Sequence, residues 1–423
     1  MQDQRKWNRR AFLRLSGGVA SVALFAACQP IVAPAGTVPS ASSGAAVTAT
    51  GKGEARFAYV GTYTRGAPGG WSDKAEATHP TGVAVFAVAP DTGAFTLIET
   101  VPSDNPSYLT LHPTQRYLYV SNEIADYDGQ KDTGSIEAYA IDENTGQLTL
   151  LNRQAVGSIP AHMSVDPTGK YLVAGIYVGG SFQVLPIKDD GSLDAVSDEV
   201  KESGKGPNEA RQEAPHPHCV IFDPAGKYIA TADLGNDKVQ IFQLDDGKLA
   251  KVSEQSVAPG SGPRHLSFHP SGKYLYVICE LTATITAFPY DAASGALGEA
   301  LQVIGTVPDD FPSDKSTAEI MVHPSGKFLY GSNRKFEEHP LADAIVGFAI
   351  DEASGQLTLI EHTTENIHFP RGFNFDPTGK WLYALNQKGD TIVQLLIDQT
   401  TGKLTPTGLI TDAPVPVSIA FKV

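Results

Sequence analysis

Cysteine, methionine and tryptophan occur only three times each in 423 residues. Three cysteines cannot build a disulfide framework. The apolar stretch near the N-terminus, Val19 to Ala27, is too short to cross a bilayer. Positive charge is also scarce, with 32 Lys and Arg against 47 Asp and Glu and a net charge of −15. Such a mean field repels nucleic acid and anionic lipid surfaces, which excludes a general binder of either. The chain has no Gly-x-Ser-x-Gly elbow, P-loop, dinucleotide fingerprint or Cys-x-x-Cys pair. What it has in quantity is turn-formers, 41 Gly and 29 Pro, alongside 41% hydrophobic residues. That combination excludes wholesale disorder and predicts many short elements around a large core. Length alone would suggest two or three domains.

The N-terminus has its own composition. Arg5, Lys6, Arg9, Arg10 and Arg14 form a basic region ahead of the short apolar stretch, the layout of an export signal. Asn8-Arg9-Arg10-Ala11-Phe12-Leu13 resembles a twin-arginine signal, with Asn where Ser or Thr normally precedes the pair. Leu24-Phe25-Ala26-Ala27-Cys28 resembles a lipobox, which predicts lipidation of Cys28 after cleavage. Residues 29–53, rich in Ala, Pro, Ser, Thr and Gly, read as a flexible tether to a domain over 54–423. Cleavage would remove five basic residues and one acidic one, leaving 27 against 46 and a net charge of −19. The expectation is a monomer of the cell envelope, touching the membrane only through its anchor.

From Arg56 onward the sequence repeats. The turn His112-Pro113-Thr114 recurs as Asp166-Pro167-Thr168-Gly169-Lys170, Asp223-Pro224-Ala225-Gly226-Lys227 and His269-Pro270-Ser271-Gly272-Lys273, then at His323 and Asp376. The spacings are 54, 57, 46, 54 and 53 residues. Pro sets φ and Gly supplies the positive φ that closes each hairpin. Short apolar runs flank every turn, and two further runs follow it, so each unit of about 50 residues holds four antiparallel strands. This predicts an all-β fold, a seven-bladed β-propeller. Six units are complete. The seventh combines Phe57–Val60, Gly82–Phe86 and Phe95–Ile98 with the C-terminal run Pro416–Phe421. Joining the chain ends in one blade closes the ring and removes free sheet edges.

Comparing the units with one another separates scaffold from site. Six places before each turn stands a proline in every complete unit but one, where Thr317 replaces it. The next two places vary freely: Ser107-Tyr108, Ala161-His162, His218-Cys219, Arg264-His265, Ala318-Glu319 and Arg371-Gly372. So do the two residues ending the second strand: Asn122-Glu123, Ile176-Tyr177, Asp233-Leu234, Cys279-Glu280, Asn333-Arg334 and Asn386-Gln387. An antiparallel hairpin sets these two groups side by side at the mouth of the central channel. The insertions at 64–81, 124–134 and 335–344 fall on the same face. His216, His218, Asp233, Arg264, His265, Glu280, Glu319 and Arg334 are concentrated in blades four to six, counting the composite blade as blade 1, and form a candidate ligand site. His216-x-His218 has metal-ligand spacing, but the neighbouring arginines oppose a cation, so neither metal nor cofactor is expected. Cys219 and Cys279 lie in strands and read as core.

Pro215-His216-Pro217-His218, Ala232-Asp233-Leu234-Gly235-Asn236-Asp237, Gly262-Pro263-Arg264-His265, Ala318-Glu319-Ile320 and Ser332-Asn333-Arg334 together resemble the seven-bladed lactonase family. That family includes 6-phosphogluconolactonase and carboxy-cis,cis-muconate cyclase types, and the resemblance covers about residues 55–423. It implies metal-independent lactone chemistry by His216 or His218, Arg264, Glu280 and Arg334. Hydrolysis needs a base for water and a cation for the oxyanion. Glu280 or a neutral His218 is expected as base and Arg264 as oxyanion partner. Asp233, His265, Glu319, Arg371 and Asn386 are expected to bind an anionic lactone, with Arg334 and Arg371 suited to fork-like bonds to its carboxylate or phosphate. The alternatives are a lactonising cyclase and a non-catalytic binding propeller of the envelope.

Overall fold

The computed structural model describes residues 53–65, 82–308, 311, 316–334 and 343–423. The expected signal, with Cys28, and all of the tether but Gly53 lie outside the described residues, as do 66–81 and 335–342 of the insertions.

Seven antiparallel sheets form the blades of the described chain. Blade 1 joins the two ends: Pro416–Lys422 is its innermost strand, followed outward by Phe57–Thr62, Gly82–Val88 and Phe95–Pro102. Blades 2 to 7 then run in chain order, with innermost strands Pro106–Leu111, Pro160–Val165, Pro217–Phe222, Pro263–Phe268, Thr317–Val322 and Pro370–Phe375. Each innermost strand contacts those of both neighbouring blades, so the ring is closed. Blade 5 departs from the expected four strands. Its outer edge is split into Ala296–Leu297 and Gln302–Gly305, both paired with Thr284–Asp291. The insertion after Asn122 forms a small hairpin of Asp126–Tyr127 with Gln130–Lys131.

Period-two alternation explains the packing. In Tyr274–Cys279, Tyr276 and Ile278 join the apolar cluster shared with blade 6, whereas Leu275, Val277 and Cys279 join the one shared with blade 4. Strands buried on both faces read as nearly continuous apolar runs. Each of the seven blade junctions has its own cluster of this kind. Cys219 and Cys279 both sit in the blade 4–5 cluster as free thiols, which agrees with the core reading.

Two polar devices reinforce the junctions. Tyr59, Tyr119, Tyr276, Tyr330 and Tyr383 each donate a hydroxyl to a glycine carbonyl in the next blade, those of Gly146, Gly191, Gly355, Gly402 and Gly93. The histidines that open three of the repeated turns bond forward in the same way, His112 to Gly169, His269 to Gly326 and His323 to Gly379. Where Asp opens the turn it folds back, as Asp223 does on the amides of Lys227 and Tyr228.

The first strand of every blade is interrupted by a register shift. It falls between Pro106 and Tyr108, Pro160 and His162, Pro217 and Cys219, Pro263 and His265, Thr317 and Ile320, and Pro370 and Gly372. In blade 1 it leaves Val417 unpaired. The extra residue of a bulge is freed from the ladder and its side chain re-aimed. The freely varying position after the proline is therefore the bulge position, holding Ser107, Ala161, His218, Arg264 and Arg371.

Candidate functional site

The bulge residues Ser107, Ala161, Arg264 and Arg371 converge on a channel cavity of about 290 Å³, lined also by Tyr108, His265 and Glu319 among others. A second cavity, of about 260 Å³, shares Ala161 and Arg371 with it and is lined by Glu123, Tyr177, Arg211, Glu213, His216, His218, Glu280 and Arg334.

Glu280 organises the charge. Arg211 Nη2 donates to its Oε1 at 2.8 Å, and Arg334 Nη2 to its Oε2 at 3.0 Å. Arg264 Nε stands 3.0 Å from the same Oε2 as an ion pair, without the alignment of a hydrogen bond. Burial alone would raise this carboxyl, but Arg334, Arg211 and Arg264 outweigh it and hold it at about 2. The guanidiniums are themselves fixed by backbone: Arg264 Nη1 donates to Ala318 O at 2.7 Å and Arg334 Nε to Thr317 O at 3.3 Å. Burial, then the nearby arginines against the pull of Glu280, lowers Arg334 to about 9, so it stays charged at neutral pH. Opposite, Arg371 Nη2 reaches Glu123 Oε2 at 3.3 Å, and its guanidinium lies 5.1 Å from the Tyr63 ring centroid. Tyr63 donates to the same Oε2 at 2.7 Å.

The histidines fall into two kinds. His216 stacks on Tyr177 at 4.4 Å, and its ring nitrogens meet Tyr177 O at 3.1 Å and Glu213 Oε1 at 3.2 Å. Both of its nitrogens are occupied. His162, His218 and His265 form an aromatic group in the channel, with centroids 5.1 Å apart for His162 and His265 and 5.2 Å for His218 and His265. Burial drives all three well below the usual histidine range, helped at His218 and His265 by Arg264 and Arg371 and at His162 by His265. His218 Nδ1 and His265 Nε2 are buried with no hydrogen-bond partner among the described residues. His265 Nδ1 instead lies 2.8 Å from Glu319 Oε1, which also accepts the Ile320 amide at 3.0 Å.

Most of the expected residues meet here: His216, His218, Arg264, His265, Glu280, Glu319, Arg334 and Arg371 all line one cavity or the other. Asp233 and Asn386 line neither of these two cavities, and their side chains bond to nearby backbone instead. Asp233 Oδ1 accepts the amides of His216 at 2.7 Å and Gly235 at 2.9 Å. Asn386 ties the preceding loop through His368 N, Asn366 O and Thr391 Oγ1. Of the two variable residues ending a second strand, the first is polar and bonded to backbone in Asn122, Asp233, Asn333 and Asn386 but core in Ile176 and Cys279, and the second reaches the cavity in Glu123, Tyr177, Glu280 and Arg334. Arg211 and Tyr63 were not selected from sequence, and Glu123 stood there only among the varying ends of the second strands. Arg211 sits in the long connection after blade 3, where no repeat offers a counterpart. Among the described residues no group of three or more His, Cys, Asp or Glu could hold a metal ion.

The model of the family described as "Lactonase, 7-bladed beta-propeller" matches residues 57–421. A 6-phosphogluconolactonase of Bacillus subtilis is 36% identical over 367 residues, covering 86% of this chain and 97% of the relative. One from Formosa agariphila is 33% identical over 355 residues, covering 82% and 94%. Among solved structures, a periplasmic gluconolactonase of Pseudomonas aeruginosa is similar with a TM-score of 0.74 and 28% identity, covering 87% of this chain and 99% of that one. With the ring, the bulges and the arginine-bound glutamate in place, the chain belongs to the seven-bladed β-propeller lactonase family.

Proposed function

We propose that the protein hydrolyses the ring ester of an anionic lactone, with 6-phosphogluconolactone as the model substrate. The observation that carries this is the cluster of four guanidiniums, the buried Arg264 and Arg334 and the partly buried Arg211 and Arg371, around two cavities of substrate size. Glu280 and Glu123 offset only part of their charge, so the site attracts a phosphate or carboxylate although the molecule is acidic overall. In this reading Arg371, with Arg334 and Arg211, holds the anionic group. Arg264 faces the ring carbonyl, where a preorganised cation stabilises the oxyanion formed by water attack. Collapse of that intermediate breaks the ring C–O bond and leaves a hydroxy acid. Glu280 keeps the guanidiniums oriented; a carboxylate at about 2 is too weak a base for water at neutral pH. Acid release from a panel of phosphorylated, carboxylated and neutral lactones tests the reading. Turnover of none of them above an Arg264→Ala control overturns it.

The basic and apolar pattern of residues 1–28 supports export with Cys28 as a lipid anchor. Labelling of cells with radioactive palmitate is expected to mark the wild-type chain and not Cys28→Ala, and equal labelling of both contradicts the anchor.

A further inference from the structure

We propose that Glu319, held by His265 in the channel, is the general base that takes the proton from the attacking water. This rests on the hydrolase reading above and adds to it the group that activates water. The geometry singles Glu319 out. Its side chain is 16% exposed, whereas that of Glu280 is 2% and that of Glu123 is 7%. One oxygen, Oε1, is fixed by His265 Nδ1 and the Ile320 amide, and no hydrogen bond among the described residues engages Oε2. A fixed carboxylate with one open oxygen beside a buried cation can hold a water against a carbonyl. Arg264, the proposed oxyanion partner, lines the same cavity, and its Nη1 is bonded to the carbonyl of Ala318, the residue before Glu319.

The other candidates are tied up. Glu280 is bound by three guanidiniums, and His216 has both nitrogens engaged. His218 would have to become an imidazolium beside Arg264 and Arg371. Glu319 is faced by Arg264 and His265 of blade 5, His162 of blade 3, Arg371 of blade 7, Tyr108 of blade 2 and Cys219 of blade 4. Burial pushes its carboxyl up to about 7, against the downward pull of Arg264, the Ile320 amide, His162 and Arg371. A base in that range is half ionised at working pH and strong enough to accept a proton from water in the transition state.

The steps balance. Oε2 takes one proton as the water oxygen bonds to the carbonyl carbon, and the carbonyl electrons move onto its oxygen beside Arg264. The ring C–O bond then breaks, and the proton on Glu319 passes to the departing alkoxide. That transfer restores the Glu319 carboxylate, and the new carboxylic acid releases its own proton to solvent. His265 is a positioning residue.

The experiment is a pH profile of kcat and KM on a lactone the wild type turns over. Wild-type kcat is expected to rise through an apparent pKa near 7 and then level. Glu319→Gln should lose kcat by roughly 100-fold or more, with a smaller change in KM and no limb near 7. Glu319→Ala, with a small hole in place of the carboxylate, should regain kcat about tenfold or more on addition of formate. If Glu319→Gln retains kcat within about threefold and keeps the limb, the proposal is overturned while the hydrolase reading stands. If the wild type opens no lactone, the hydrolase reading fails and this proposal falls with it.

Discussion

A carboxylate shared by three guanidiniums does more for the site than any single arginine. Glu280 is 2% exposed, and its removal would leave the buried Arg264 and Arg334 and the partly buried Arg211 without their counter-charge. Uncompensated buried charge is strongly destabilising, so Glu280→Gln should lose about 3–5 kcal/mol of stability in urea unfolding. The pH sign follows from the direction of the shift. The folded carboxyl sits at about 2 against an ordinary 4.5, so its contribution is full above 4.5 and is lost as pH falls through 2. That contribution is on the order of 3 kcal/mol, and the glutamine variant should lack the corresponding acid dependence. An unchanged urea midpoint contradicts the role given to Glu280. At this scale much of the site could be read from the repeats, because Arg264, Glu280 and Arg334 stand at positions that vary from blade to blade, with an arginine recurring only at Arg371 and a glutamate only at Glu123. Asp233 and Asn386 pass the same filter, yet Asp233 Oδ1 and the Asn386 amide bond to nearby backbone. A position in a repeat does not tell which way a polar side chain turns. The elevated carboxyl of Glu319 was not legible either, because five blades supply its surroundings.

At the level of elements, the bulge links scaffold to chemistry. A regular first strand would send the residue after its proline to a blade junction; the shift frees it for the channel. This is why one position varies from Ser107 to Arg264 while the strands around it stay apolar. The loop carrying Arg211 is braced by Gln212, whose amide donates to Asp237 Oδ1 at 2.8 Å and to Leu234 O at 2.9 Å. The apolar alternation and turn chemistry made the strands readable. The inter-blade tyrosine bonds were hidden in the same apolar runs, where an aromatic reads simply as core. Tyr330 donates to Gly402 O at 2.7 Å in a buried junction. Tyr330→Phe leaves that carbonyl unpaired and should cost about 1–3 kcal/mol in urea unfolding without changing KM. A loss of lactone affinity at unchanged stability would contradict a purely structural role.

Over the whole molecule, the scarcity of positive charge takes on a local meaning. The chain carries −15, yet four of its arginines are gathered at one mouth, two of them buried and two partly buried. The abundance of glycine and proline reflects seven blades rather than several domains, and the two ends of the domain meet in one of them. Long-range closure was legible because three strands at the start and one at the end complete a single repeat. The chemistry depends on that closure, since residues far apart in sequence, such as Glu123 and Arg371, pair across the ring. The most direct measurement is acid release from 6-phosphogluconolactone by residues 54–423, followed against spontaneous opening in buffer. The account predicts enzymatic opening that falls by roughly 100-fold or more in Arg264→Ala, the loss expected when an oxyanion partner is removed. Opening no faster than in buffer, or equally fast in wild type and Arg264→Ala, would contradict it.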